Sequence, residues 1–119
     1  MTYIMGDDVD FSNQKVVDEL YHWTRWYKNL TDIDGFRLDA VKSIDSAFFP
    51  KWLATMRQEY QDDLFAVGEY WSGNLDELKD YLRTTSYCMT LFDVPLHFHL
   101  ADASNSYDRY DMSKFLKEH

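Results

Sequence analysis

Asp34-Gly35-Phe36-Arg37-Leu38-Asp39-Ala40-Val41-Lys42 is the stretch whose reading decides how this chain folds. Asp34-Gly35 breaks the helical pattern that precedes it, and Phe36 to Val41 predicts a short strand. Side chains alternate across a strand, so Phe36, Leu38 and Ala40 share one face and Arg37, Asp39 and Val41 the other. An Arg and an Asp two positions apart on an otherwise apolar strand are costly unless they are paired or used. Asp39 falls near the C-terminal end of that strand.

Working outward, Leu64 to Val67 is a continuous apolar run closed by Gly68, short enough for a buried strand. Phe65, Val67 and Glu69 share a face there, with Glu69 at the C-terminal end. Cys88 to Val94 predicts a third buried strand, closed by Pro95, with Leu91 and Asp93 on one face. Each strand thus ends in a carboxylate: Asp39, Glu69, Asp93. Parallel α/β folds place their active sites at that end. Neighbouring carboxylates there can divide acid and nucleophile roles. Each could equally cap the following helix or pair with a nearby Arg or Lys, and the pattern alone leaves both readings open.

Helical patterns separate these strands. Val16, Leu20, Trp23, Tyr27 and Leu30 fall at spacings of four, three, four and three, one face of a helix, with Ser12 or Asn13 as its N-cap. Asp45 or Ser46 caps a second, with Pro50 tolerated in its first turn and Phe49, Trp52, Leu53, Met56 and Tyr60 on its apolar side. Asn74 precedes a third, whose apolar face is Leu75, Leu78, Tyr81 and Leu82. After a polar stretch from Ala103 to Arg109, Asp111 caps a helix that starts with Phe115 and Leu116. Strands and helices alternating in this way predict a parallel sheet with right-handed crossovers. Three strands do not close a barrel, which takes eight. The pattern therefore allows a small open sheet or part of a (β/α)8 barrel.

The 119 residues amount to one domain, and 45% hydrophobic and 18% aromatic content is enough for a core. The rings serve core packing first, and flat sugar-stacking surfaces second. A formal net charge of −9 repels phosphate backbones and argues against a nucleic-acid partner. The single cysteine, Cys88, excludes an internal disulfide and a cysteine-based zinc site. No stretch is long and apolar enough for a transmembrane helix, so no membrane partner is expected, and no leader peptide is visible.

Asp34 to Lys42 resembles the strand-four signature of the α-amylase family of glycoside hydrolases, and Val67-Gly68-Glu69-Tyr70-Trp71 its strand-five signature. Leu91-Phe92-Asp93-Val94-Pro95-Leu96 is similar to the sixth-strand region of bacterial liquefying and cytoplasmic members. The opening Tyr3-Ile4-Met5-Gly6-Asp7-Asp8-Val9-Asp10-Phe11 is similar to the segment before their third barrel helix. The resemblance implies that residues 1–119 are a fragment of one catalytic barrel domain: a partial (β/α)8 TIM barrel with the fourth to sixth strands and their helices. It implies retaining hydrolysis of internal α-1,4-glucosidic bonds in starch or glycogen. Asp39 is the implied nucleophile and Glu69 the general acid/base; Arg37, Lys42 and Trp71 are implied substrate-binding residues. Asp8 is an implied ligand of a structural calcium ion; a solvated acidic turn of Asp7, Asp8 and Asp10 is the equal alternative, since calcium takes six to eight oxygens and those available here are too few.

The chain departs from the family in two respects. Ser43 stands where the family usually has His, which removes a ring contact to sugar. The third catalytic carboxylate, an Asp in a His-Asp motif after the seventh strand, falls outside these residues. The chain alone is therefore expected to be inactive or nearly so, and a related α-glucan transglycosylase shares the same motifs. A self-associating, non-catalytic fragment is the other expectation, because unpaired sheet edges invite a second copy. The opening resembles cytoplasmic members, which predicts a cytoplasmic location. His97 and His99 lie past the third strand and could approach the cleft, although lone histidines there are more often structural.

Overall fold

The computed structural model describes residues 7–114. The elements run α1 (Gln14–Thr31), β1 (Gly35–Leu38), α2 (Phe48–Tyr60), β2 (Phe65–Gly68), α3 (Leu75–Thr84), β3 (Thr90–Leu91) and α4 (Val94–Asn105), with a 3-10 turn over Val41–Ser43. The strands are parallel, in the order β1-β2-β3, with Gly35 opposite Phe65 and Gly68 opposite both Leu38 and Leu91. This is a partial barrel: three parallel strands, each preceded in the chain by a helix. Residues 3–6 of the opening motif, and the helix expected from Phe115, lie outside the described residues.

Alternation in the strands sorts the chain into layers. Leu64 and Ala66 turn toward the helices and are buried, while Phe65 on the opposite face is exposed. Phe36 likewise packs on Trp52 of α2, ring centroids 5.0 Å apart. The core is the layer between helices and sheet: Val41, Phe49, Trp52, Leu53, Met56, Leu64, Ala66, Tyr81 and Met89. Arg57 ties this layer together, donating from Nε and Nη2 to the Leu64 carbonyl and from Nη1 to that of Cys88. Gly35 is required for the close β1–β2 approach, because a Cβ there would lie 2.4 Å from the Phe65 carbonyl oxygen.

Tyr81 is an exception within this core. Its hydroxyl is buried and has no hydrogen-bond partner among the described residues. Burial, with lesser contributions from Cys88 and Tyr70, pushes its pKa well above the ordinary tyrosine value. An unpaired buried hydroxyl opposes folding. Tyr81→Phe is therefore expected to raise stability by about 1 kcal/mol in a urea melt; a loss of stability would mean that the hydroxyl is paired in solution.

The first strand is Gly35–Leu38 rather than Phe36 to Val41, and the α2 cap is Ala47, with no side-chain bond, rather than Asp45 or Ser46. Two larger expectations are also corrected. The third strand is Thr90–Leu91 rather than Cys88 to Val94, and Asp93 caps a helix that the sequence reading missed. Asp93 Oδ1 accepts from the Leu96 amide at 2.9 Å, and Pro95 lies in the first turn, where its missing N–H costs nothing. Asp-Val-Pro thus starts a helix as well as ending a strand, and α4 lacks the one-sided apolar pattern that would have announced it.

The second correction concerns α1. Its cap is Asn13, whose side chain accepts from the Lys15 amide. Its buried positions, however, are Thr24 and Lys28, while Trp23, Trp26, Tyr27 and Leu30 are exposed. Polar bonds to α2 select that face: Trp52 Nε1 donates to Thr24 Oγ1 at 3.1 Å, and Arg25 forks onto Glu59 at 2.7 and 2.8 Å. The other two helices match their expected faces, with Phe49, Trp52, Leu53 and Met56 buried on α2 and Leu78 and Tyr81 on α3.

Candidate active site

Both signature carboxylates stand one residue past the end of a strand, side by side. β1 ends at Leu38 and β2 at Gly68, which are register partners, so Asp39 and Glu69 follow in step. The backbone holds this arrangement beyond the strands: the Glu69 amide donates to Leu38 O at 2.8 Å and the Val41 amide to Glu69 O at 3.0 Å. Ala40 lies between these contacts in the left-handed region, φ 47° and ψ 44°. A side chain there costs about 1–2 kcal/mol. That conformation turns the chain so that Val41 is fully buried, while the Asp39 side chain is 72% exposed.

Arg37 joins the two acids. Its Nη1 donates to Asp39 Oδ1 at 2.5 Å and its Nη2 to Glu69 Oε2 at 3.0 Å. The same guanidinium lies over the Phe92 ring, 6.0 Å from its centroid. A hydrogen bond with Glu69, and next the Arg37 guanidinium, hold the Asp39 carboxyl below the ordinary Asp range. Two carboxylates sharing one fixed cation can take different roles, one kept ionised and one free to carry a proton.

This has a pH consequence with a definite sign. A depressed folded-state pKa contributes stability above the unfolded value and loses it as pH falls through the lower, folded value. Asp39 is exposed, so its contribution to overall stability is small, but its titration is observable. In a carboxyl-carbon NMR titration, Asp39 is expected to protonate at lower pH than a free aspartate. A midpoint at or above the ordinary value would remove the Arg37 bridge from the solution structure.

The remaining signature residues lie around an open cleft of about 830 Å³ lined by Asp8, Ala40, Lys42, Ser43, Glu69 and Trp71. Lys42 sits over the Tyr70 ring at 5.4 Å and reaches Glu77 at 4.0 Å. Trp71 is half exposed, its ring open to the cleft. A second hollow adjoins it, lined by Arg37, Glu69, Trp71, Phe92 and His97. The structure therefore lines the cleft with Lys42, Glu69 and Trp71 and the adjoining hollow with Arg37, Glu69 and Trp71, while Asp39 lines neither and is tied to them through Arg37.

His97 and Phe98 enter this region from the first turns of α4, with rings 5.3 and 5.7 Å from that of Trp71. Phe92 and Phe98 were not legible as site residues, because nothing in the sequence showed that α4 begins at the strand end. His99 is directed elsewhere, its Nδ1 lying 3.0 Å from the Tyr110 hydroxyl.

Asp8 lines the cleft beside Ser43 and Asp45. Among the described residues no three His, Cys, Asp or Glu side chains converge as a metal site. With six to eight oxygens needed, these residues do not by themselves make a calcium site.

The family model described as alpha amylase, catalytic domain, matches residues 2–118. An alpha-amylase of Geobacillus stearothermophilus is 48% identical over 110 residues, 92% of this chain and 20% of that protein. The cytoplasmic alpha-amylase of Escherichia coli is 39% identical over 112 residues, 94% of this chain and 23% of that protein. In three dimensions, the alpha-amylase of Geobacillus thermoleovorans, solved with acarbose, aligns with TM-score 0.67 and 28% identity, covering 77% of this chain and 20% of that one. The chain spans about a fifth of the length of the curated relatives it matches.

Proposed function

The chain belongs to the α-amylase catalytic-domain family, and from that premise we propose that it carries the nucleophile and the general acid/base of a retaining α-glucan hydrolase. The observation that carries this reading is the single guanidinium of Arg37 bonded to both Asp39 and Glu69 at the ends of adjacent parallel strands. In the proposed reaction, Asp39 attacks the anomeric carbon while Glu69 protonates the departing glycosidic oxygen. Glu69 then takes a proton from water, which displaces Asp39 from the sugar with net retention. Arg37 keeps the nucleophile ionised. Trp71 offers a ring face to a pyranose and Lys42 a hydrogen-bond donor.

The substrate proposed is an α-1,4-glucan, with hydrolysis rather than transfer as the reaction. Asp8 is proposed as one ligand of a structural calcium whose other ligands lie beyond the described residues. A cytoplasmic location is proposed on the likeness to the Escherichia coli relative; among the described residues no helix is long and apolar enough to cross a membrane. By itself the chain is proposed to be without significant hydrolytic activity, and to self-associate.

The test is a chimera in which residues 7–114 replace the matching segment of the Geobacillus stearothermophilus relative. It is expected to hydrolyse starch with activity that depends on Asp39 and Glu69. A chimera that melts cooperatively yet has no activity would overturn the proposal.

A further inference from the structure

The ring of Trp71 stands on a short loop, residues 69–74, that joins β2 to α3. The loop backbone is fixed at both ends by local bonds. At one end the Glu69 amide donates to Leu38 O at 2.8 Å. At the other, Asn74 caps α3 and donates its own amide to Ser72 Oγ at 3.1 Å. The direction of the Trp71 side chain is left to its ring contacts, and among the described residues these are both with α4. The His97 and Phe98 rings lie 5.3 and 5.7 Å from that of Trp71, inclined at 52° and 65°. His97 and Phe98 in turn lie 5.4 Å apart at 65°. The three rings therefore close a triangle of tilted and edge-to-face pairs, the arrangement that aromatic quadrupoles favour.

Phe98 has a distinct place in this triangle. Trp71 and His97 line the openings around Glu69, and Phe98 lines neither. It packs instead on the loop that carries Trp71: a Cβ on Gly73 would lie 3.1 Å from Phe98 Cδ2 and 3.4 Å from its Cε2. The bare α-carbon of Gly73 makes room for the ring. The Asp93 cap fixes where α4 begins, just past the end of β3, so Phe98 is delivered to the loop from the sheet itself. Its ring is 39% exposed and lies outside the main core, so its removal leaves the folded layer intact.

We propose that Phe98 is a positioning residue for Trp71, holding the indole in the plane in which it meets an α-glucan beside Glu69. The proposal rests on the reading of Trp71 as a sugar-stacking ring and adds the residue that orients it. A stacking ring free to change rotamer must be ordered each time sugar binds, whereas one already held by its neighbours avoids that cost. Ordering one such side chain corresponds to about two- to tenfold in affinity.

The experiment has two arms. In the 119-residue chain, NMR follows the Trp71 indole N–H resonance, identified by its loss in Trp71→Phe. Phe98→Ala is expected to shift and broaden it while the Trp23, Trp26 and Trp52 signals stay in place, and Phe98→Tyr to leave it unmoved. Gly73→Ala, which crowds Phe98 from the loop side, reads the same contact without touching α4 and is expected to shift the same signal. In the chimera described above, Phe98→Ala is expected to raise KM for maltoheptaose about two- to tenfold with kcat within about twofold, and Phe98→Tyr to restore KM. Added to Trp71→Ala, Phe98→Ala is expected to raise KM no further. A resonance unmoved by both Phe98→Ala and Gly73→Ala overturns the positioning role. So does a KM rise that persists undiminished without Trp71, or a fall in kcat at constant KM. A resonance that moves while KM stays unchanged overturns the role in glucan binding. A chimera that folds but is inactive overturns the catalytic reading and that role with it, while the resonance arm still decides whether Phe98 holds Trp71.

Discussion

In the starch-hydrolysing chimera, Asp39→Asn is expected to lower kcat by about four orders of magnitude or more, and Glu69→Gln by a comparable amount on starch. The physical basis differs between the two. An amide at position 39 cannot form a glycosyl ester of useful reactivity, and it also loses the charge that Arg37 holds in place. An amide at 69 still accepts the Arg37 hydrogen bond but has no proton to deliver to the leaving oxygen. The assignments therefore separate on a substrate with an acidic leaving group, such as an activated aryl maltoside, whose departure needs no proton. Glu69→Gln is expected to recover much of the first-step rate on that substrate, and Asp39→Asn none. Recovery by the Asp39 variant and not by the Glu69 variant would exchange the two roles. Full activity in either variant on starch would remove that residue from the chemistry.

The largest effect on folding is expected from Leu53→Ala. Leu53 has no solvent exposure and sits on the inner face of α2, within the cluster that also holds Trp52, Met56, Leu64 and Ala66. Truncating a buried leucine removes its transfer energy and leaves a cavity, together about 2–5 kcal/mol. A domain of ordinary stability has about 5–15 kcal/mol in total, and this one has a thin core between one sheet face and its helices. The variant is expected to lose about 2–5 kcal/mol of that stability in a urea melt, with the slope unchanged. A midpoint shift of less than about 0.5 kcal/mol equivalent would mean that α2 is not the element on which the layer depends. Because α2 connects β1 to β2, the same variant should also loosen the alignment of Asp39 with Glu69.

These two expectations differ in how far they could be read without coordinates. Leu53 stands among Phe49, Trp52, Met56 and Tyr60, and a helix period of 3.6 allows those positions only one common face. Asp39 and Glu69 could be placed at strand ends because a strand alternates and each run is closed by a turn residue. The α-amylase signatures then gave them roles. In these places local pattern and final environment agree.

Where they disagree, a tertiary contact outweighed the local pattern. On α1 the apolar stripe was evident, but Trp52 bonding to Thr24 and Arg25 forking onto Glu59 turned the polar face toward α2. No property of α1 alone encodes the position of those partners. Asp93 shows a similar limit. As the last residue of an apolar run it reads as a third site carboxylate, and only the start of α4 makes it a cap. Phe92 and Phe98 came to this region by the same route, while His97, which the sequence offered as able to approach the cleft, lines the adjoining hollow.

The sequence by itself determined the alternation of strand and helix, the parallel order that follows from it, and the pair of acids that the family signatures mark. Those depend on periodicity and on residue type, which are local properties. The tertiary structure alone decided that one arginine bonds both acids, which face of α1 is buried, and where α4 begins. Each of these depends on groups far apart in the chain meeting within hydrogen-bonding distance, and Arg37 with Glu69, 32 positions away, is the clearest case.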